Sequence, residues 1–312
     1  MTMSVVIPTW RRRESLRRIL TALAAQTLPP GSFEVVVSID GSEDGTLEML
    51  AGFSAPYPLR WVWRPNQGRA GACNAGLREA RGELLVILDD DMEPAPGCLE
   101  AHLRAQAGGE RLAVIGSMPV AVEPSAPPAA RYVQAKFERL LATWSRPGYQ
   151  FNFRDFSSAN LSIRREALFA AGLFDEDFRA YGNEDGELAL RLLQTGVRLV
   201  HEPDALAVQH CDKDFAALAR DNVGKGQTAV ILAAKHPEAL PHLKLGAAGR
   251  VSLRWRLARE ALIAASRIWP GVQRGVIALV GWFERRRPGR LEKAYFLALD
   301  YFFWLGARRA GR

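Results

Sequence analysis

Short apolar segments alternate with amphipathic stretches through the first third of the chain. The apolar segments are SVVIPT, FEVVVSID, LRWVWRP and GELLVILDD, and each precedes a stretch whose apolar residues recur every three or four positions. Segments of the first kind are typical of buried strands, and those of the second kind are typical of helices. The alternation predicts an α/β fold with a mostly parallel central sheet and helices on both faces. Right-handed crossovers then bring the loops after these strands to one edge of the sheet.

The middle of the chain continues this pattern less regularly. RLAVIGSMPV predicts a strand, residues 123–130 a Pro- and Ala-rich loop, and residues 131–145 a long helix. FSSANLSIRRE predicts a polar strand, GNEDGELALRLLQTG a helix, and VRLVHEPDALAVQH another strand. From about residue 213 onward the composition shifts to Ala, Leu and Arg, which form helices. We therefore expect a sheet-containing domain over residues 1–235 and an α-helical C-terminal extension over residues 236–312.

Three consecutive carboxylates, Asp89, Asp90 and Asp91, follow directly after the continuous apolar run of residues 84–88. A run of this kind indicates a strand covered on both faces, so the acids fall at its carboxyl end, where open α/β sheets bind ligands. Clustered carboxylates repel each other unless a cation lies between them, and hard oxygen ligands suit Mg²⁺ or Mn²⁺ with phosphate oxygens completing the shell. The triplet alone is equally compatible with a solvated acidic turn.

Other strand ends carry candidate ligand contacts. Pro8 and Thr9 end the first strand, Asp40 ends the second before Gly-containing turns, and Arg69 directly precedes the helix that follows the third. A carboxylate at a turn can accept hydrogen bonds from a nucleobase or ribose, and a helix start with a guanidinium suits an anion. The alternative at each position is an ordinary turn or helix cap.

Polar residues also mark the second half of the domain. Glu184 and Asp185 lie at a predicted helix start, where the helix dipole stabilises their ionised form, and an ionised carboxylate beside a pocket can act as a general base. Acids at this position are also common as simple helix caps. His210 ends an apolar strand, where its imidazole could complete a metal shell or touch a phosphate, or be purely structural.

Composition restricts the class of partner. The chain has 312 residues, a net charge of +7 and three scattered cysteines. The odd cysteine count argues against a disulfide framework and favours a reducing, cytoplasmic location. The positive charge favours anionic partners, but no nucleic-acid motif is present. The amino terminus lacks a secretory pattern and no apolar run reaches the roughly 18 residues of a spanning helix, so we expect a soluble or peripheral protein.

The predicted C-terminal helices combine tryptophans with many arginines, including the run 285–287. Aromatic and basic residues on amphipathic helices are what a segment needs to lie on anionic lipid, at the inner face of a cell membrane for a cytoplasmic protein. A helical cap on the preceding domain or an oligomer contact would have a similar composition. The oligomeric state is therefore left open.

The chain resembles an inverting, nucleotide-sugar-dependent glycosyltransferase of family 2 with the Rossmann-like GT-A fold. The resemblance covers most of the chain, to about residue 235. The motifs that carry it occur in the order that the family shows. These motifs are VVIPT, DGSEDGT, NQGRAGACNAGLREARGE, VILDDDM, SSANLSIRRE, GLFDEDF, GNEDGELALRL and the strand ending in His210. Each motif is weak alone, whereas the ordered set is specific.

The resemblance implies a role for each matching residue. Asp185 corresponds to the catalytic base, with Glu184 supporting the acceptor pocket. Asp89 and Asp91 are the outer positions of the DxD motif, where Asp91 holds Mn²⁺ or Mg²⁺ and its neighbours Asp89 and Asp90 reach the ribose and the water shell of the metal. Asp89 and His210 are further candidate metal ligands. The residues implied to bind the nucleotide sugar are Pro8, Thr9, Asp40, Arg69, Asp89, Asp90 and Asn160.

The implied activity is hexosyl transfer from a nucleotide-diphosphate sugar, with UDP expected as the nucleotide, to a saccharide or lipid-linked acceptor in cell-surface polysaccharide or glycolipid synthesis. The one departure from the family pattern is Ile39, which stands where the family has the first of two paired acids. A sugar nucleotidyltransferase would show a Gly-rich loop after the first strand, where this chain reads PTWRRRES. A non-catalytic nucleotide-sugar- or membrane-binding protein of the same fold is the other alternative, and the retained acids argue against it.

Overall fold

The computed structural model describes residues 3–109, 111–246 and 251–311. Two units are present, and each is described by itself. The first comprises Met1–Ala121, Gln134–Arg179 and Glu184–Cys211, and the second comprises Val122–Val133, Ala180–Asn183 and Asp212–Arg312.

A nine-stranded sheet forms the centre of the first unit. The strands are β1 (Met3–Thr9), β2 (Phe33–Asp40), β3 (Leu59–Arg64), β4 (Leu84–Leu88), β5 (Met92–Pro94), β6 (Leu112–Ser117), β7 (Val120–Ala121), β8 (Asn160–Arg164) and β9 (Arg198–His210). Their order is β3-β2-β1-β4-β8-β6-β9-β5, and β7 pairs with β9. The residues of β1, β2 and β4 are all buried, which explains their continuous apolar runs.

Most neighbouring strands in this sheet are parallel, as predicted. β1, β2, β3 and β4 run in one direction, and β6 and β9 are parallel to each other. β8 lies between β4 and β6 and is antiparallel to both. Its reversal brings Asn160, the first residue of β8, opposite Leu88 at the carboxyl end of β4. The short strands β5 and β7 were not predicted.

Six helices lie wholly in the first unit. They are α1 (Arg13–Ala24), α2 (Thr46–Ala51), α3 (Arg69–Glu79), α4 (Cys98–Gln106), α6 (Arg165–Ala170) and α7 (Glu184–Gln194). Helix α5 (Pro128–Trp144) begins three residues earlier than the sequence pattern indicated, because a proline fits the first turn of a helix and does not end it. A 3-10 turn at Pro30–Ser32 precedes β2.

The buried polar residues of β8 have hydrogen-bond partners on neighbouring elements. His102 on α4 contacts Asn160 Oδ1 through Nε2 and Ser162 Oγ through Nδ1, both at 2.9 Å. Because an amide oxygen only accepts, Nε2 carries the proton and Nδ1 accepts from the serine. Burial lowers the pKa of His102 to about 4, so the ring is neutral at pH 7. These bonds explain how a polar segment can form a central strand.

The second unit is helical. Its helices are α8 (Phe215–Lys235), α9 (Leu253–Ile268), α10 (Gly271–Arg286) and α11 (Leu291–Ala310), with 3-10 turns at Pro237–His242 and Pro288–Arg290. Helix α8 packs against α11, and the Phe215 ring stacks on Tyr295 with centroids 5.1 Å apart. The helical unit therefore includes α8, whereas the sequence interpretation placed the boundary after α8, at residue 235. No helix in the described residues is long and apolar enough to cross a membrane.

A buried ion pair joins α9, α11 and the turn that contains Lys244 in this unit. Asp300 on α11 is 1% exposed and accepts from Arg259 Nη1 at 2.9 Å and Trp255 Nε1 at 2.8 Å, while Lys244 Nζ lies 2.9 Å away. Burial alone would raise the pKa of Asp300, but the hydrogen bonds and charges of these partners outweigh it and the pKa is lowered. The carboxylate that interrupts the apolar pattern of α11 is thus a charged structural group.

Candidate active site

The carboxyl ends of β1 and β4 form the switch point of the sheet. β2 and β3 lie on one side of β1 and β4 lies on the other, and open α/β sheets bind ligands where the strand order reverses in this way. β1 pairs with β4 only as far as Val6 and Ile87. The strand ends beyond this point carry Thr9 and the acid triplet.

Asp90 and Asp91 share one guanidinium group. Nη1 of Arg12 lies 3.1 Å from Asp90 Oδ1 and 2.9 Å from Asp91 Oδ2, and Thr9 Oγ1 donates to Asp90 Oδ2 at 2.7 Å. Burial raises the pKa of Asp90 to about 7 against the opposing effect of Arg12. The pKa of Asp91 is also raised, mainly by burial and to a smaller extent by the negative charge of Asp89. The triplet is therefore a partly buried, paired cluster and not a solvated turn.

Asp91 retains one buried oxygen that fits a cation. Its Oδ2 accepts from Arg12 and, at 3.4 Å, from Gln209, whereas its Oδ1 is buried without a hydrogen-bond partner among the described residues. A buried anionic oxygen is costly unless a positive group compensates it. No set of three or more His, Cys, Asp or Glu side chains in residues 3–109, 111–246 and 251–311 is arranged around a metal position. The carboxylate oxygen of Asp91 is of the kind that suits Mg²⁺ or Mn²⁺, which proteins commonly hold through one or two carboxylates together with phosphate oxygens and water.

Arg69 joins the acid triplet to the acids of α7. Its Nη2 lies 2.6 Å from Asp89 Oδ1, and its Nη1 lies 3.3 Å from Asp185 Oδ1 and 3.6 Å from Glu184 Oε1. Arg69 is the first residue of α3, so the start of that helix places its side chain between the two groups. Acids separated by about a hundred positions in the chain therefore belong to one cluster.

Ser158 orients the Asp185 carboxylate. The Ser158 hydroxyl donates to Asp185 Oδ1, and the Ser158 backbone N–H donates to Oδ2 at 3.2 Å. The Asp185 side chain remains about a quarter exposed, whereas Glu184 is buried. Burial and the neighbouring Asp185 charge raise the pKa of Glu184 to about 7. Of the two acids, Asp185 is the one positioned to meet a substrate.

Asp40 orders the loop that leads into α3. Its Oδ1 accepts from the Gln67 backbone at 2.9 Å, and its Oδ2 accepts from the Gly68 backbone and the Asn66 side chain at 3.0 Å each. Gly68 has a φ of +90°, and a Cβ there would lie 2.6 Å from the Arg179 carbonyl oxygen. The carboxylate is thus bonded to the protein itself, and its predicted contact with the nucleobase stays a prediction.

The side chains of two other predicted residues contact groups other than the clustered acids. The His210 ring contacts Glu93 Oε2 at 2.6 Å, although its backbone N–H donates to the Asp91 carbonyl at 2.9 Å. Asn160 is fully buried, and its amide donates to the Ala205 carbonyl at 2.8 Å while its oxygen faces His102. The metal role of His210 and the sugar contact of Asn160 stay predictions.

Sequence reasoning assigned no role to Arg12 or Ser158. Arg12 belongs to the run of three arginines that follows β1, and Ser158 belongs to the SSANLS segment. A run of basic residues close after the first strand was a usable signal, because strand ends in such a sheet converge on one edge. Nothing local distinguishes Ser158 from Ser157, since the choice depends on where α7 begins.

The family model for glycosyl transferase family 2 matches residues 4–169, which is more than half of the chain. The chain belongs to glycosyl transferase family 2. This membership favours the glycosyltransferase interpretation over the nucleotidyltransferase and non-catalytic alternatives. The matched region contains β1 to β4 and the acid triplet, and it ends before α7 with Asp185.

Curated relatives of this family 2 chain include glycosyltransferases from bacteria. An uncharacterized glycosyltransferase, YfnE, from Bacillus subtilis is 30% identical over 253 residues, covering 67% of this chain and 64% of the relative. A validoxylamine A glucosyltransferase from Streptomyces hygroscopicus subsp. limoneus is 30% identical over 231 residues, covering 66% and 51%. The chain thus spans about half to two thirds of the length of these relatives.

A solved structure confirms the fold of the family 2 chain. The mannosyltransferase PcManGT from Pyrobaculum calidifontis, solved with GDP-Man and Mn²⁺, superposes with a TM-score of 0.63 at 22% identity, covering 99% of this chain and 86% of that one. The GT-A fold and its C-terminal helical region, both expected from the sequence, are therefore confirmed.

Proposed function

We propose that this chain transfers a hexose from a nucleotide-diphosphate sugar to a hydroxyl group of a saccharide or lipid-linked acceptor, with inversion at the anomeric carbon. The observation that carries the proposal is the position of Arg69, which contacts Asp89 after β4 and Asp185 at the start of α7. A donor bound at the acid triplet would then lie within reach of a base on a separate element. The relatives that act on sugars support the same reaction class.

In this proposal Asp185 takes the proton from the acceptor hydroxyl. The acceptor oxygen bonds to the anomeric carbon from the face opposite the diphosphate, and the bond from that carbon to the diphosphate oxygen breaks. Ser158 holds the Asp185 carboxylate in one orientation throughout. Asp185 lies in the first turn of α7 with about a quarter of its side chain exposed, so an acceptor hydroxyl can reach it.

Asp91, with its unpaired Oδ1, and Asp89 are the residues that would hold Mn²⁺ or Mg²⁺. When bound, such a cation would offset the negative charge that collects on the departing nucleotide diphosphate. Pro8 and Thr9 lie at the end of β1, and Asp40 at the end of β2 orders the loop between β3 and α3. We place the nucleobase at these strand ends, with UDP as the expected nucleotide. The positive charge of Arg69 compensates the negative charge of Asp89 in the neighbouring acid triplet.

We expect Asp91→Ala to weaken metal-dependent binding of the donor by at least about tenfold, since it removes the unpaired buried oxygen. Calorimetry with UDP-sugars and GDP-sugars, in Mn²⁺ and then in EDTA, would measure the loss and identify the donor. The matched control is Asp204→Ala, which removes an exposed acid of β9 paired with Arg104. Unchanged Mn²⁺-dependent binding by Asp91→Ala would remove Asp91 from the metal site.

The second unit exposes an apolar ridge on α9, formed by Leu253, Leu257, Ala261, Ala264 and Ile268. These positions recur every three or four residues and so share one helix face, while the buried residues of α9 lie on another. Leu253 and Leu257 are each 64% exposed and Ile268 is 88% exposed. An apolar face of this length that meets solvent indicates a binding surface.

The charge around the apolar ridge favours an anionic partner. Arg254, Arg256 and Arg267 lie on α9 itself, and residues 251–311 contain twelve Arg and Lys against four Asp and Glu. That segment alone exceeds the net charge of +7 of the whole chain. We propose that the apolar ridge lies on an anionic membrane surface, at the cytoplasmic face, where acceptors for cell-surface glycans are assembled.

The double variant Leu257→Gln/Ile268→Gln should bind vesicles of 30% phosphatidylglycerol in phosphatidylcholine about thirtyfold more weakly, because two apolar side chains lose burial. Flotation at low and high salt would measure binding. The matched control, Leu47→Gln/Leu103→Gln, changes two exposed leucines of the first unit and should bind as the parent does. A parent protein that stays in the soluble fraction, or a dimer that the same double variant dissociates, would overturn membrane binding.

A further inference from the structure

Arg12 presents an unused edge of its guanidinium group beside the metal-binding acids. Both of its contacts, with Asp90 and Asp91, are made by Nη1. Within the part of the chain that the structure describes, Nε and Nη2 donate to no residue. The side chain is 40% exposed, although the carboxylates it contacts are largely buried. Arg12 is therefore anchored at one nitrogen and open at the others.

The location of Arg12 restricts which ligand groups its Nε and Nη2 donors can bind. Arg12 directly precedes α1 and follows β1, so it lies at the switch point where the sheet binds ligands. Its contact with Asp91 uses Oδ2 and leaves the buried Oδ1 available to a cation. A diphosphate that bridges to that cation would pass the neighbouring guanidinium donors. An arginine suits this contact because its planar donors match phosphate oxygens in pairs.

We infer that Arg12 binds the departing diphosphate, with Asp90 and Asp91 holding its guanidinium in place through Nη1. This inference rests on the proposed function, because it assigns the leaving group of that reaction. As the bond between the anomeric carbon and the diphosphate oxygen breaks, both electrons stay on that oxygen. Arg12 is positioned where this negative charge develops, so its effect is larger in the transition state than in the donor complex.

A purely structural Arg12 would act only by orienting Asp91. Its loss would then weaken binding of the cation itself. A diphosphate-binding Arg12 has the opposite signature, because removing a positive charge beside Asp91 leaves the site at least as attractive to Mn²⁺ while the anion loses its donors. Mn²⁺ binding and pyrophosphate binding therefore separate the two roles.

Two affinities of the full chain are measured. Binding of Mn²⁺ alone is measured by electron paramagnetic resonance, and binding of inorganic pyrophosphate in the presence of Mn²⁺ is measured by calorimetry. We expect Arg12→Gln to bind Mn²⁺ as tightly as the parent or more tightly, and to bind pyrophosphate at least about tenfold more weakly. Arg12→Lys, which keeps the charge but loses the planar fork, should recover part of the pyrophosphate affinity. Arg18→Gln, an exposed arginine of α1, is the matched control and should leave both unchanged.

Three results would overturn the inference. They are parental pyrophosphate affinity in Arg12→Gln, loss of Mn²⁺ binding in that variant, and failure of the parent to bind pyrophosphate. If Arg12→Gln does not fold, as judged by circular dichroism, the comparison of Arg12→Lys with the parent decides, and equal pyrophosphate affinity there contradicts a fork-specific contact. A parent that binds Mn²⁺ and pyrophosphate but transfers no sugar from any nucleotide sugar would instead contradict the proposed function.

Discussion

Asp185→Asn should lower the rate of sugar transfer by about two to four orders of magnitude and leave donor affinity within a factor of a few. The asparagine keeps the shape of the side chain and one oxygen that can still accept from Ser158. It cannot hold the proton of the acceptor hydroxyl. The loss should therefore appear in turnover and not in binding, which is the signature of a group that acts in the transition state.

Two measurements are needed on Asp185→Asn. Sugar transfer is measured with the donor that calorimetry with UDP-sugars and GDP-sugars identifies, and binding of that donor is measured by calorimetry with Mn²⁺. The matched control is Asp204→Asn. In the parent, the exposed Asp204 carboxylate lies on β9 and contacts Arg104 at 2.9 Å. Turnover by Asp185→Asn comparable to that of the control would show that another group accepts the proton.

Gly306→Ala should destabilise the helical unit by about 2 kcal/mol, because α8 and α11 cross with their backbones in contact there. A Cβ at Gly306 would lie 2.0 Å from the Val223 carbonyl oxygen, and one at Gly226 would lie 1.9 Å from the Phe303 carbonyl oxygen. Backbone atoms cannot move aside as a flexible side chain can. The cost of separating the helices therefore exceeds the roughly 1 kcal/mol by which alanine favours a helix over glycine.

Thermal unfolding of the full chain measures this effect, and a loss of about 2 kcal/mol corresponds to a fall in Tm of about 3 °C for a chain of this size. Gly275→Ala on α10 is the matched control, because a Cβ there meets nothing within 4 Å. The control should be neutral or slightly stabilising. Equal Tm values for Gly306→Ala and Gly275→Ala would show that the helices separate without cost.

The strands and the acid triplet could be predicted because both are local signals. A strand buried on both faces must be apolar at every position, and β4 has this pattern immediately before Asp89. The buried polar strand β8 could not be oriented in the same way. Its direction depends on pairing with β4 and β6, and its polar atoms are satisfied by His102, which lies on a different element.

Local sequence patterns were enough to predict the α/β class, the position of the acids at the carboxyl end of β4 and the presence of a helical C-terminal region. Which charged groups meet depends on how the elements pack. Arg69 contacts Asp185 across 116 positions of chain, and Arg12 contacts Asp90 and Asp91 across nearly 80. Periodicity and composition report the surroundings of each residue within its own element. The partner of a side chain is set by distances between elements, which exist only once the sheet and its helices have packed together.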